Sequence, residues 1–449
     1  MKVRLLIHNG YVGGGTARVT LTTAAALHDR GHDVEIVSMY RRRETPIFPP
    51  APGVRIRPLV DTWEAINQPG AKSASLRKKV AWAVNRVLRN VPTVLFTHHD
   101  GRWKHVDVLG DIQLYRYIRA QRDGVLVGTR PGINLALARW ARPGAVVVGQ
   151  DHLNTSVYKQ ELKEEIRCCF PRLDAVVSLT EADADAYAEL VGRRTRTLSI
   201  PNGVPDLGDA TASPGDDSKL VVAAGRMTPQ KGFDRLVDAW ALVAADHPAW
   251  RLEIYGSGDT SRLQKQVDRL GLGSSVHLMG RTSELWEVMS RASVYVMSSR
   301  FEGFPMVLLE AMGVGLPVVS FDCPTGPRDL IDDGTNGYLV PDGDIPSLAR
   351  RIGDLIERPD TRRTMGEAAR KTAEGFSPDS LAQRWEELFA GLAADPARAA
   401  RRARPSSGRR DADPCRRAPT PAQTLRLLLE SMAWVRTVDR RRKKGRRTT

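Results

Sequence analysis

Ser298-Ser-Arg-Phe-Glu-Gly-Phe-Pro-Met-Val-Leu-Leu-Glu310 decides how this chain is read. The run before it, Val294-Tyr-Val-Met297, is short, apolar and rich in valine, which is the composition of a buried strand, and Met306 to Met312 is apolar at helical spacing. Glu302 and Glu310 therefore flank a strand-to-helix turn, the first in the loop and the second inside the helix. Pro305 suits the first helical position, where a missing N–H costs nothing, and Gly303 lets the backbone approach a ligand. A helix start presents free N–H groups and a partial positive charge, a seat for phosphate. An acid on each side of that seat can accept hydrogen bonds from sugar hydroxyls. The alternative is an exposed loop acid followed by an acid on a helix surface.

The words around the pair, Phe301-Glu-Gly-Phe-Pro305 and Glu310-Ala-Met-x-x-Gly-x-Pro317, narrow the choice. The stretch resembles the E-x7-E signature of retaining nucleotide-sugar glycosyltransferases of family 4, which have the GT-B fold. The resemblance implies an α/β protein of two Rossmann-like domains facing a central cleft. It implies Glu302 beside the donor hexose and Glu310 beside the nucleoside ribose, with Gly303, Phe304 and Pro305 lining the donor site.

Upstream, Leu220 to Ala224 reads as a strand whose loop carries Gly225-Arg-Met-Thr-Pro-Gln-Lys-Gly232. Arg226 and Lys231, on a turn broken by Pro and Gly, can converge on one diphosphate, the fork of arginine beside the point charge of lysine. They can equally be two solvated surface cations. The family resemblance assigns them to the leaving diphosphate. Arg251 to Tyr255 is the next strand, and the glycines of Gly256-Ser-Gly258 clear room after it. Val276 to Met279 leads to Gly280-Arg281, a segment that by resemblance cradles the base. Downstream, Asp322-Cys-Pro-Thr-Gly-Pro-Arg-Asp-Leu-Ile331 departs from the usual pattern, with Thr325-Gly326 where most members of the family have a Gly-Gly turn. Its wording looks like members that use UDP-linked hexoses or N-acetylhexosamines on cell-surface polymers. Asp342-Gly-Asp344 has the spelling of a metal-binding Asp-x-Asp, but Pro346 and a helical run follow, so Asp344 reads as a helix cap. No metal or other cofactor is expected; the diphosphate charge is met by Arg226, Lys231 and helix N–H groups.

In the N-terminal half, Lys2 to Ile7, Thr16 to Arg30 and Val34 to Ser38 read as strand, helix and strand, the start of a doubly wound sheet. The turn Gly10-Tyr-Val-Gly-Gly-Gly-Thr-Ala-Arg18 lacks the dinucleotide fingerprint. It is either a flexible glycine loop or, as the resemblance implies, a loop over the donor diphosphate, with Gly14 and Gly15 as the contact points. Val125-Leu-Val-Gly-Thr-Arg-Pro131 is a strand ending where ligands bind in an open sheet, so Arg130 stands there as an acceptor-side anion holder or as an ordinary surface arginine. His152 follows the strand Ala145 to Gly149, and the resemblance places such a histidine beside the donor sugar; a lone histidine is otherwise most often structural. Thr180 or Ser178 caps a helix beginning at Glu181.

Composition sets the organisation. The expected divisions are 1–200, a hinge over 201–218, 219–375, a helix crossing back at 376–392, and a basic tail from 393 to 449. The formal charge is +15, yet residues 391–449 hold 17 Lys and Arg against 5 Asp and Glu, so the body is nearly neutral and specific nucleic-acid binding is not expected of it. The four cysteines, Cys168, Cys169, Cys323 and Cys415, have no metal spacing or disulfide framework and read as free thiols. Without a membrane span or signal peptide, the expected location is cytoplasmic, against the inner face of the membrane. Two segments suit an anionic bilayer: the basic amphipathic stretch 72–90 and the tail stretch 424–447, where Trp434 stands beside a run of arginines and lysines. The alternatives are a surface helix for 72–90 and, for the tail, nonspecific nucleic-acid contact or a solvated segment without function. Expected partners are thus a nucleotide-diphosphate sugar, a hydroxyl acceptor and a membrane surface. Two other classes stay open, a nucleotide-sugar epimerase of the same fold and a non-catalytic sugar-nucleotide sensor.

Overall fold

Short runs of Val, Ile, Leu and Ala that are buried on both faces cannot be edge or surface strands; they are the pattern of parallel sheets covered by helices on each side. This computed structural model, which describes residues 1–63, 84–85, 87–192, 195–204, 218–282, 284–396 and 398, forms two such sheets. The segment 72–90 is only partly inside that range, and the linker 205–217 and the tail stretch 424–447 lie outside it. The chain divides into unit 1, Met1–Ser199 with Ala382 onward, and unit 2, Ile200–Leu381. The chain returns to unit 1 within the helix Pro378–Ala394.

Unit 1 is built on strands β1 (Lys2–Ile7), β2 (Asp33–Arg41), β3 (Arg55–Asp61), β4 (Val125–Gly128), β5 (Val146–Gln150), β6 (Ala175–Ser178) and β7 (Arg196–Ser199). Their order in the sheet is β3-β2-β1-β4-β5-β6-β7, and every neighbouring pair is parallel. Strand β2 runs longer than the expected Val34 to Ser38, because Met39 and Tyr40 are also wholly buried against the core. Thr180 caps the helix Glu181–Val191, its hydroxyl accepting from the Asp183 N–H at 3.1 Å. The Phe170 and Tyr187 rings stack at 6.1 Å inside this core.

Unit 2 contains β8 (Leu220–Ala224), β9 (Arg251–Tyr255), β10 (Val276–Gly280), β11 (Val294–Met297), β12 (Val318–Asp322) and β13 (Gly337–Pro341), in the order β10-β9-β8-β11-β12-β13, again all parallel. Trp240, fully buried, anchors the helix Phe233–Asp246 and satisfies its indole N–H on Ser275 Oγ at 3.2 Å. Arg362, also buried, donates to the last carbonyls of the helix Ile345–Glu357, Leu355 O at 2.6 Å and Ile356 O at 2.8 Å, which closes a helix end that would otherwise be unsatisfied. Asp344 caps that helix through Ser347 N at 3.1 Å, as its position before Pro346 suggested. One expectation is displaced by a residue: the helix Met306–Gly313 starts after Pro305, whose ψ of 78° is not helical. Among the described residues no helix is long and apolar enough to cross a membrane.

Candidate functional site

In an open parallel sheet, ligands bind outside the carboxyl ends of the strands at the point where the strand order reverses. In unit 2 that point lies between β8 and β11, so the loops Gly225–Gly232 and Ser298–Pro305 meet there. They are bonded to each other at several places. Arg300 N donates to Gln230 O at 2.8 Å, Ser298 Oγ to Lys231 O at 3.0 Å, and Arg300 grips Asp234 with two bonds of 2.8 and 2.6 Å. Gly232 sits at φ 63°, and a Cβ there would meet Ser298 O at 2.1 Å, so this contact between the loops requires glycine.

At the centre, Lys231 Nζ donates to Glu302 Oε1 at 2.6 Å, with both side chains largely buried. Ser299 Oγ donates to the same oxygen at 2.5 Å. The aliphatic stem of Lys231 lies over Gly225, where a Cβ would come within 3.0 Å of it. Glu310 is buried in the helix Met306–Gly313. Tyr295, buried beneath, is pushed up by burial first and then by the negative charge of Glu302 and Glu310, which puts both acids around one phenol. Burial, with Glu302 next, likewise pushes the Cys323 thiol up to about 12, which keeps it protonated and inert. Thr325, at φ 59°, donates its hydroxyl to Glu302 O, and Gly326 packs so closely on Pro305 that a Cβ would meet its ring at 2.5 Å. The Thr-Gly departure noted in the sequence thus braces the Glu302 turn.

The glycines after β9 serve the same end. A Cβ on Gly256 would lie 1.7 Å from Gly225 O, and one on Gly258 would lie 2.7 Å from Met227 Cβ. Met227 N donates to Ser257 O at 2.9 Å and Gly256 N to Gly280 O at 2.7 Å, which ties three strand ends together. Arg226 and Arg281 are exposed, and neither forms an ion pair among the described residues. Phe304 is buried and packs on Phe376 at 5.9 Å, and Pro305 is buried as well. The structure therefore joins Lys231 to Glu302 directly, sets Glu310 near them, and leaves the Arg226 guanidinium open to solvent.

In unit 1 the order reverses between β1 and β4. Gly14 precedes the helix Gly15–Asp29 at φ 152°, and a Cβ at Gly14 or Gly15 would meet nothing, so this loop is open backbone at a helix start. Arg130 follows β4 and is held by Asp100, donating Nε to Oδ2 at 2.8 Å and Nη2 to Oδ1. Gly132 N donates to Asp100 at 2.9 Å. Asp151 follows β5, accepts from Tyr158 at 2.6 Å and from Tyr187, and burial pushes its carboxyl up to about 6. The next residue, His152, has a buried Nε2 with no partner, and burial, then the charge of Arg130, hold the ring down at about 4. His8, at the end of β1, is alike: Nε2 buried without a partner and the ring held well down by burial, then by Arg130. The strand-end logic that singled out His152 applies to His8 as well and would have found it. Asp100 and Asp151 gave no signal in sequence, because their roles come from partners 30 and 36 positions away.

Comparison with known proteins agrees with this layout. The model described as Glycosyl transferases group 1 matches residues 210–372, and the Glycosyltransferase Family 4 model matches residues 13–206. Each half of the chain is thus matched by a glycosyltransferase model. An exopolysaccharide phosphotransferase of Streptomyces coelicolor is 34% identical over 410 residues, which is 90% of this chain and 42% of that protein, so the chain spans less than half of that relative. The amylovoran biosynthesis glycosyltransferase AmsD of Erwinia amylovora is 25% identical, covering 86% of this chain and 99% of its own. A poly(ribitol-phosphate) alpha-N-acetylglucosaminyltransferase of Staphylococcus aureus is 32% identical over 62% of this chain and 57% of its own. Among solved structures, TarM matches with a TM-score of 0.68 at 18% identity, covering 86% of this chain and 98% of that one. HepE of Anabaena in complex with UDP matches at 0.64 and 20%, covering 87% and 100%. These likenesses establish the fold, which is GT-B.

Proposed function

We propose that this glycosyltransferase moves a hexose or N-acetylhexosamine from a UDP-sugar to a hydroxyl of a cell-surface polymer, teichoic-acid-like polymer or glycolipid, with retention of the anomeric configuration. The observation that carries the reading is the buried Lys231–Glu302 pair at the reversal point of unit 2, beside an unpaired Arg226. A diphosphate entering there takes Arg226 and shares Lys231, which stabilises the negative charge that develops as the sugar departs. Glu302 is thereby turned to the hexose hydroxyls and Glu310 to the ribose. Gly256, Gly258 and Arg281 flank the nucleotide. Gly14, Gly15 and a neutral His152 are assigned to the donor from unit 1. The bond from C1 to the diphosphate oxygen breaks, the acceptor oxygen attacks the same face, and its proton passes to the departing phosphate oxygen. This route uses no metal, so chelators are expected to leave turnover unchanged. The relatives named above supply the choice of a UDP donor and a polymeric acceptor. Peripheral attachment at the inner membrane face through 72–90 and 424–447 belongs to the same proposal.

The test is a calorimetric screen of nucleotide sugars, followed by NMR of the product formed with membrane extract. Binding confined to UDP-sugars and an α-linked product from an α-linked donor support the reading. An inverted linkage overturns retention, and sugar conversion without any acceptor replaces transfer by epimerisation.

A further inference from the structure

At the ligand edge of unit 1 the cations outnumber the acids. Arg42 follows β2, Arg130 follows β4, and Arg102 and His105 lie in the loop that leads to the helix Val108–Ala120. They surround His8, Arg42 through ring contacts and Arg130 and Arg102 through their charge. The His8 ring is 5.7 Å from Tyr40 and 6.5 Å from His105. Arg42 lies 5.1 Å over the Tyr40 ring and donates Nη2 to His105 O at 2.9 Å. On the other flank Arg102 N donates to Asp100 Oδ1 at 2.9 Å, the same carboxylate that holds Arg130.

The carboxylates nearby are each engaged elsewhere, Asp151 by the hydroxyls of Tyr158 and Tyr187. Asp100 is engaged by Arg130, and Asp107 is turned to cap a helix, accepting from Gly110 N at 2.7 Å. Arg42 and Arg102 are exposed and form no ion pair among the described residues. After burial, Arg130, Arg42 and Arg102 are the charges that depress His8, and Arg42, Arg102, Arg130 and Lys104 those that depress His105, so one positive field covers both rings. Arg42, Arg102 and Arg130 share this field with Asp100, which Arg130 pairs, and with Asp107 and Asp151, both raised to about 6 by burial first, so positive charge prevails and an anion placed among the guanidinium groups relieves their repulsion. Planar guanidinium forks suit phosphate oxygens better than a neutral sugar. With the donor diphosphate assigned above to Arg226 and Lys231, this second cluster is available to another anion.

We propose that Arg42, Arg102 and Arg130 bind a phosphate group on the acceptor, making the acceptor class a hydroxyl compound that carries a phosphate mono- or diester. The unpartnered His8 Nε2 then faces the hydroxyl-bearing part of that molecule. This inference rests on the transfer reading above.

The test uses the full chain and an Arg42→Gln/Arg102→Gln double variant, whose exposed sites leave thermal unfolding unchanged. Titration with inorganic phosphate and with glycerol 3-phosphate is expected to show binding that the double variant weakens about tenfold or more, while UDP binding stays within about twofold. In turnover with a UDP-sugar, glycerol 3-phosphate is expected to outperform glycerol, and the variant to raise the acceptor KM while leaving the donor KM unchanged. Equal use of glycerol and glycerol 3-phosphate, or no phosphate binding, overturns the inference and leaves transfer intact. A rise in the donor KM or loss of UDP binding assigns the cluster to the donor and also overturns it. Phosphate binding that depends on Arg42 and Arg102, without turnover on any acceptor, overturns transfer and keeps the anion site.

Discussion

Lys231 and Glu302, 71 positions apart in the chain, are joined at 2.6 Å at the carboxyl end of one parallel sheet. Ser299 Oγ donates to the same Glu302 oxygen at 2.5 Å, which fixes the carboxylate further. Under the proposed function the pair is a preorganised donor and acceptor for the sugar nucleotide.

If that is its role, Lys231→Ala lowers kcat/KM by about 100-fold or more, the usual scale for removing one positioned cation from a transition state, on the order of 3 kcal/mol. Glu302→Ala lowers it comparably. The two losses do not add in the double variant, because each single change already disables the other residue. Steady-state kinetics of the three variants checks this; strict additivity speaks against a shared role.

The loops that hold the pair depend on two glycines. Gly256→Ala forces a methyl to 1.7 Å from Gly225 O, and Gly232→Ala combines a φ of 63° with a 2.1 Å approach to Ser298 O. Each is expected to cost about 3 kcal/mol or more, visible as a fall in Tm, because backbone cannot yield as a side-chain tip does. Gly14→Ala, where a methyl meets nothing, keeps only the cost of its φ of 152° and falls well short of that. Equal Tm values for the three variants contradict the packing described.

His152 carries a pH signature. His152 is held at about 4 in the folded chain, below the ordinary 6.5, so the unfolded chain binds the extra proton between those values. Its contribution to stability is complete above about pH 6.5 and is lost as pH falls through that window. His152→Gln should flatten the dependence of stability on pH there, by up to about 1.4 kcal/mol per pH unit. Asp151, raised to about 6, acts in the opposite direction between about pH 4 and 6, so Asp151→Asn steepens the dependence. Urea unfolding at a series of pH values measures both. A His152 ring that titrates near 6.5 by NMR rules out the buried, neutral state.

What the sequence revealed follows from how local each feature is. The strands and the two glycine-rich loops are written in runs of neighbouring residues, so β8, β9 and β11 and the turns after them could be placed from pattern alone. The pairing of Lys231 with Glu302 was approached through spacing and resemblance, but the contact itself depends on β8 and β11 being neighbours in the sheet, which no local pattern states. Asp100 shows the limit most clearly. Its partners Arg130, Arg102 and Gly132 come from two loops, and nothing near Asp100 in sequence distinguishes it from a surface acid. The start of the helix at Met306 rather than Pro305 has a similar cause, since Gly326 presses on the Pro305 ring from a segment 21 residues away.

The most direct test of the account is calorimetric titration of UDP into the native chain and into Arg226→Ala/Lys231→Ala. Arg226 is exposed and Lys231 sits at the edge of the core, so circular dichroism is expected to show an intact fold. The account predicts that the native protein binds UDP and that the double variant binds it at least about 100-fold more weakly, the scale of losing two charge-assisted contacts to one diphosphate. UDP binding of equal strength in both proteins would contradict it.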